Sequence, residues 1–334
     1  MKWVLLLDEI LLKKEETNFL TMLEAKEIGA SEKVGIKNTA VLDDALKFFS
    51  NSGIIVHFDS TEALKNLIVI QPDWLIFSIG KVTLKSSLDM YCEFRKKFEN
   101  LGLLEDLNTL QTKAVATRDF LEYIWEKEEI DFLIDVMKHT LLLSEFERDL
   151  DERGYLIPNL LPLCKRTPDT LTSALRCVFN FSSAFVSPGF FPRLMCLCIN
   201  YAYAPSKTRN AKLLLKEPKL FKNFCSIEFE PGCLVHLREK NGSLQEITMF
   251  VGDKKFARKC LMILHSIVIN LCNHLPSSRS INSPSILLED ESTGNLINHD
   301  EAKKISLEPW FDQDYIAVRK GSRNRISKRF LDGI

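Results

Sequence analysis

The segment 68–75 constrains the fold of this chain more than any other stretch. It opens with the β-branched run Ile68-Val69-Ile70, which predicts a buried strand. Gln71-Pro72 ends the strand, because proline fixes its own φ and pushes the preceding residue out of the helical region. Pro72 suits the first position of a helix, where Asp73 lies near the positive end of the dipole. The segment therefore predicts a strand followed by a helix, whose apolar face is expected to contain Trp74, Leu75, Ile76, Phe77 and Ile79.

Length and composition indicate a globular protein with a sizeable core. The 334 residues suggest two domains and a tail, with 46% hydrophobic and 27% charged residues. A formal net charge of −1 gives no general attraction to nucleic acid or membranes. The apolar start of the chain is cut short by Asp8 and Glu9, which argues against a signal peptide, and no apolar run is long enough to span a bilayer. We therefore expect a cytoplasmic protein.

The cysteines are expected to be structural. Nine are present, an odd number with irregular spacing and no CxxC pair. Several lie in apolar runs, such as Cys196, Cys198 and Cys260. This pattern favours small buried hydrophobic side chains in a reducing compartment over a disulfide framework or a metal site.

The first half of the chain has the element order of a winged helix. Hydrophobic spacing predicts a helix at the N-terminus, a second over residues 19–28 and a third that ends at Gly53, followed by strands over 54–58 and 67–70. Recognition of DNA would need basic residues on the third helix or the wing. The third helix instead carries Asp43, Asp44 and Lys47, which disfavours nucleic-acid binding.

The second half predicts an antiparallel sheet with helices. A strand is expected over 175–181, a hairpin over 225–251 with Asn241-Gly242 in its turn, and a long amphipathic helix after it. The fold class is therefore α+β, with domains at 1–150 and 151–276. Residues 277–334 are predicted to be a flexible serine-rich linker and a basic tail, which is either solvated or contacts RNA, acidic lipid or an acidic partner. The tail's basic residues are Arg319, Lys320, Arg323, Arg325, Lys328 and Arg329.

Five motifs in a fixed order carry a resemblance to a known family. They include the Pro72-Asp73-Trp74-Leu75 signature, and together they resemble the COR domain of Roco proteins, the segment that follows their Roc GTPase domain. The residues that define the resemblance are Trp3, Gly53, Pro72, Trp74, Leu75, Pro158, Pro188, Gly189, Phe190 and Arg193.

The resemblance implies an architecture and a role. The first half would be the winged-helix-like COR-A, and the second half COR-B, an antiparallel sheet plus helices. Such a module is non-catalytic and regulatory: it packs on a Roc GTPase domain, in cis or in trans, and forms a homodimer through COR-B. Phe179 and Phe181 would belong to the Roc-facing region, with burial in the core as the alternative for both.

Motifs for catalysis are missing from the sequence. No GxxxxGK[ST] P-loop, kinase signature, GxSxG or HExxH stretch occurs, and the six histidines are dispersed. We therefore predict no enzyme, cofactor or metal site in this chain, which is either a fragment of a longer Roco protein or a COR domain that stands alone. Two alternatives remain open: a signalling adaptor without a GTPase, and a winged-helix nucleic-acid binder.

Overall fold

The computed structural model describes residues 2–125, 130–146, 154–165, 171, 174–183, 186, 189–204, 215–240, 246–274 and 284–311. The chain divides into two compact units, residues 1–160 and 161–334. Both units combine helices with antiparallel strand pairs, which confirms the predicted α+β class. The predicted boundary at residue 150 falls earlier in the chain than the division between the units.

The first unit is mainly helical. Its strands are β1 (Phe19–Thr21), β2 (Val56–His57), β3 (Leu67–Val69), β4 (Val115–Ala116), β5 (Ser144–Phe146) and β6 (Gly154–Leu156). The strand β3 is central to a three-stranded sheet of order β1-β3-β2, and a second small sheet has the order β4-β6-β5. Its helices are α1 (Lys2–Leu12), α2 (Met22–Ala30), α3 (Thr39–Asn51), α4 (Glu62–Lys65), α5 (Pro72–Thr83), α6 (Lys85–Glu93), α7 (Arg95–Asn100), α8 (Leu104–Lys113), α9 (Arg118–Ile124) and α10 (Ile130–His139).

The element order differs from the predicted one of three helices followed by two strands. The predicted second helix begins instead with the strand β1, and α2 starts only at Met22. Thr21 explains the change, because its hydroxyl accepts a hydrogen bond from the Glu24 amide while the Glu24 carboxylate accepts one from the Thr21 amide. This capping box fixes the start of the helix. Gly53 has a φ of +72°, as predicted for the residue that terminates the third helix.

The core of the first unit consists of two hydrophobic clusters that meet at β3. Ile68 is buried in the cluster built with α1, α2 and α3. Val69 is buried in the other cluster, which includes residues of α5 to α10. Successive side chains of a strand point to opposite faces, so one short strand serves both clusters. This arrangement explains why the run 68–70 is apolar throughout instead of alternating.

The second unit is built on one large antiparallel sheet with the order β13-β12-β7-β11-β10-β9-β8. Alternate residues of its strands are fully buried, among them Phe179, Met249 and Leu237. The strands are β7 (Leu175–Asn180), β8 (Lys219–Phe221), β9 (Phe224–Glu228), β10 (Leu234–Glu239), β11 (Glu246–Val251), β12 (Ser285–Glu289) and β13 (Leu296–Asn298), and the helices are α11 (Phe190–Ala202), α12 (Ala257–His274) and α13 (His299–Lys304).

The segment 284–311 belongs to this sheet, which corrects the prediction of a linker and tail over that stretch. Strand β12 pairs with β7 and with β13, and α13 follows directly. Trp310 is fully buried, and its indole Nε1–H donates a hydrogen bond to the Glu289 carbonyl at 2.9 Å. The serine-rich composition around residue 280 concealed the apolar alternation that begins at Ile286. In the described parts of the chain, no helix has the length and apolar character needed to cross a membrane.

Candidate interaction surface

Helix α5 begins where the sequence predicted, directly after strand β3. Pro72 occupies its first turn, and the Gln71 side-chain amide donates a hydrogen bond to the Lys14 carbonyl. Trp74 is half-buried with its ring 5.8 Å from that of Phe19. The signature therefore ties the start of α5 to the residues around strand β1.

One side of α5 packs into the core. Leu75, Ser78 and Val82 are buried, at the spacing of one helical face. The Trp125 indole donates a hydrogen bond to the Ser78 carbonyl at 2.8 Å, so α9 also anchors the helix. The buried side of α5 is thus fixed by both apolar packing and a directed polar contact.

The opposite side of α5 is apolar and open to solvent. Ile76 is 67% exposed, Phe77 73% and Leu84, just after the helix, 55%. Gly80 lies between them, and a Cβ placed there would lie 3.4 Å from Leu84 Cδ1. We call Ile76, Phe77, Gly80 and Leu84 the α5 apolar surface. The single apolar face predicted for residues 74–79 is therefore divided between the two sides of the helix, because four successive residues extend around a whole helical turn of 3.6 residues.

The C-terminal end of α5 is held by α6. Ser87 Oγ donates a hydrogen bond to the Gly80 carbonyl at 3.1 Å, and the Tyr91 hydroxyl donates one to the Lys81 carbonyl at 3.0 Å. Burial raises the pKa of Tyr91 to about 12, so its hydroxyl keeps its proton at neutral pH. The α5 apolar surface therefore lies on a helix that is anchored at its start, middle and end.

The sequence revealed Ile76 and Phe77 as apolar residues of this helix but not their exposure. Asp73 and Lys81 are exposed on the same helix, one charge of each sign. Apolar surface with a charged border is typical of protein contact sites. The sequence prediction omitted Leu84, although Leu84 lies seven residues after Phe77 and therefore on the same face of the helix.

The other described signature residues lie in turns, at the ends of helices or in the core. Trp3 is half-buried with its ring 5.7 Å from that of Phe48, and Pro158 is buried in a short turn after β6. Gly189 has a φ of +86° at the start of α11, and a Cβ there would lie 2.9 Å from the Arg193 guanidinium. Burial lowers the pKa of Arg193. Phe190 is fully buried, and Pro188 lies outside the described residues.

Phe179 and Phe181 are buried within the second unit. Phe179 is 0% exposed and lies in register with Ile247 of β11 and Ile286 of β12. Phe181 is 1% exposed, and its ring is 5.1 Å from that of Phe190 in an edge-to-face contact. Both side chains are therefore buried in the core, which was the alternative to a Roc-facing position. A Roc-facing role for this region stays a prediction.

Two further predictions concern ions and charge. Among the residues the structure describes, no cluster of three or more His, Cys, Asp or Glu side chains is placed to hold a metal ion. The six basic tail residues, from Arg319 to Arg329, lie outside the described part of the chain. On helix α3, Asp43, Asp44 and Lys47 are all exposed, so the face that would meet DNA is acidic overall.

Comparison with known proteins gives a family match that covers the first unit. Residues 1–161 match the family model described as "C-terminal of Roc, COR-A domain". The resemblance drawn from the sequence is thereby confirmed for this part of the chain, which matches the COR-A model.

Two relatives show how far the similarity extends. The probable serine/threonine-protein kinase qkgA of Dictyostelium discoideum is 27% identical over 168 residues, covering 46% of this chain and 10% of that protein. A structure of Methanosarcina barkeri Roco2 RocCORdC bound to GDP is 23% identical, with a TM-score of 0.33, and covers 48% of this chain and 43% of that chain. The chain thus spans about a tenth of the length of the curated relative and under half of the matched structure.

Proposed function

We propose that this chain is the non-catalytic regulatory module of a Roco-type protein, which packs on a Roc GTPase domain and self-associates through its second unit. The match of residues 1–161 to a domain that follows Roc carries the proposal. The Roc domain would be supplied in cis by a longer parent protein or in trans by a separate chain. The module itself would act through protein contact, with the GTPase chemistry located in Roc.

We assign the α5 apolar surface to the contact with Roc. Exposed apolar side chains on an anchored helix bind with little loss of conformational entropy, because the helix is already ordered. Phe77, with 73% of its surface exposed, would supply the largest apolar contact area. The surface lies within the residues that match the COR-A model, which favours Roc over an unrelated partner.

Titration calorimetry of the full chain with an isolated Roc domain of a Roco protein tests this assignment. The Roc domain is loaded in turn with GDP and with a non-hydrolysable GTP analogue. We expect binding, and an affinity at least tenfold weaker when Ile76→Ser and Phe77→Ser are combined, since truncation of central apolar contacts costs about 2 kcal/mol or more.

Leu23→Ser is the matched control for this experiment. Leu23 lies on α2 in the same unit and is 66% exposed, against 67% for Ile76, so Leu23→Ser is matched to Ile76→Ser made alone, which is measured beside the double variant. The control should bind Roc like the unaltered chain. Equal weakening by both substitutions would contradict the assignment of the surface, and an absence of both Roc binding and self-association would contradict the proposed function as a whole.

A further inference from the structure

Cys233 and Cys260 lie together although 27 positions separate them in the sequence. Cys233 follows the turn between β9 and β10, and Cys260 lies in the first turns of α12. Their Sγ atoms are 3.0 Å apart and both residues are 0% exposed. A disulfide has an S–S length of about 2.05 Å, so the two sulfurs need to approach by only about 1 Å.

Two contacts join the β9–β10 turn to the start of α12, and a hydrogen bond within the turn fixes its shape. Gly232 has a φ of +84°, and a Cβ there would lie 2.9 Å from Phe256 Cε2, so only glycine allows this approach. The Glu228 carboxylate accepts a hydrogen bond from the Gly232 amide at 2.7 Å. Glu230 forms an ion pair with Lys259, the residue before Cys260. The thiols therefore meet because the backbone on both sides is positioned independently of them.

The surroundings favour a thiolate at Cys233. The hydrogen bond between the two sulfurs lowers the pKa of Cys233. The ammonium of Lys259 acts in the same direction, whereas burial and the carboxylates of Glu230 and Glu228 raise the pKa. Lys259 also lines a shallow depression of about 330 Å³ together with Lys254, Lys255 and Arg258. Pro231 and Gly232 are exposed, so the pair lies directly beneath the surface. A thiolate near the surface is the form of cysteine that reacts with oxidants.

We propose that Cys233 and Cys260 are a site of reversible oxidation, where an intrachain disulfide locks the β9–β10 turn to α12. The site differs from the α5 apolar surface and does not depend on Roc binding. It also departs from the expectation that the cysteines are only inert hydrophobic side chains.

The chemistry requires an oxidant of the peroxide class. The Cys233 thiolate attacks one oxygen of hydrogen peroxide, the O–O bond breaks, and a sulfenic acid and hydroxide form. The sulfur of Cys260 then attacks the sulfenic sulfur, the S–O bond breaks, and the second oxygen leaves as water. The hydroxide takes up the proton that Cys233 lost. Two thiols and one peroxide thus give one disulfide and two waters, and a thiol reductant reverses the product.

Mass spectrometry of the oxidised full chain tests the proposal. The reduced protein is treated with an equimolar amount of hydrogen peroxide, its remaining thiols are alkylated, and it is digested with trypsin. Cleavage after Lys and Arg leaves Cys233 on the peptide 223–238 and Cys260 on the peptide 260–279. We expect these two peptides to be linked, with the loss of two hydrogens, and fragmentation to place the bond between Cys233 and Cys260.

Each peptide contains a second cysteine that provides a matched control. Cys225→Ser and Cys272→Ser should keep the link, whereas Cys233→Ser and Cys260→Ser should abolish it. If a variant fails to fold, fragmentation of the linked peptides from the unaltered chain decides the pairing. The proposal would be overturned if Cys233 and Cys260 were found alkylated in a sample whose other cysteines are oxidised. A link through Cys225 or Cys272 would also overturn it.

The lock has a separate readout in thermal stability. A crosslink across a loop of this length stabilises a fold, and we expect oxidation to raise the melting temperature by about 5 °C or more. Addition of dithiothreitol should reverse the rise, and Cys233→Ser should remove it. A linked peptide without any change in melting temperature would show that the disulfide does not lock the turn.

Discussion

At the scale of the residue, burial decides how much each tryptophan contributes to the stability of the fold. Trp74 is part of the family signature, yet it is only half-buried, against Phe19. Trp310 lies in the segment expected to be a linker, yet it is fully buried and donates a hydrogen bond to the Glu289 carbonyl. The free energy lost on truncation follows the area removed from water and the cavity left behind. The larger effect is therefore expected at Trp310.

We predict that Trp310→Ala lowers the free energy of unfolding by about 3–5 kcal/mol, the usual range for a buried aromatic residue. Trp74→Ala should lower the free energy of unfolding by clearly less, because Trp74 is only half-buried. Urea denaturation of the full chain measures both changes. No loss for Trp310→Ala would show that residues 284–311 do not pack on the sheet as described. A loss for Trp74→Ala as large as that for Trp310→Ala would contradict the smaller effect expected of a half-buried side chain.

At the scale of the element, the capping box of α2 shows how local contacts set a boundary. The Glu24 carboxylate accepts hydrogen bonds from the backbone amide and the hydroxyl of Thr21, at 2.7 and 2.8 Å. These bonds lower the pKa of Glu24, the contribution of the backbone amide being the largest. Because the folded-state pKa is depressed, the stabilisation is present above the ordinary glutamate pKa and is lost as the pH falls through the folded-state value.

We predict that Thr21→Ala destabilises the chain by about 1 kcal/mol at neutral pH, the usual cost of losing an N-cap side chain. Glu27→Ala on the same helix is the control, since Glu27 is exposed and lies outside the capping box. Thermal melts at pH 7 and pH 3 separate the effects: the difference between Thr21→Ala and the unaltered chain should shrink at pH 3. A difference that is independent of pH would mean that the Glu24 carboxylate adds nothing to the cap.

At the scale of the whole molecule, the proposed function places Roc binding on the first unit and self-association on the second. In the second unit, exposed apolar side chains include Met262 on α12 and Ile305 just after α13, which are 52% and 62% exposed. The α5 apolar surface belongs to the first unit. The residues proposed for self-association are therefore different from those proposed to contact Roc.

We predict that the full chain is a dimer in sedimentation experiments at micromolar concentration, and that Met262→Lys with Ile305→Lys shifts it towards the monomer. Ile76→Ser with Phe77→Ser should leave the dimer intact, because those residues lie on the other unit. A monomer at all concentrations would contradict self-association through the second unit while leaving the binding of Roc as a separate question.

The sequence by itself determined those features that depend on neighbours in the chain. The break at Gln71-Pro72, the N-cap at Thr117, whose hydroxyl accepts a hydrogen bond from the Phe120 amide, and the left-handed Gly53 are all local, and all were predictable. The order of five short motifs likewise sufficed to identify the COR resemblance. Local conformational preference acts within a few residues, so these conclusions did not require the tertiary structure.

Only the tertiary structure decided which apolar residues are buried and which distant residues meet. Ile76 and Leu75 are adjacent in the chain and chemically alike, yet one is 67% exposed and the other 6%, because only one side of α5 has a core to pack against. The pairing of β12 with β7 and the contact between Cys233 and Cys260 likewise join segments far apart in the sequence. Such contacts arise when a common core forms, and no periodicity in a single segment encodes them.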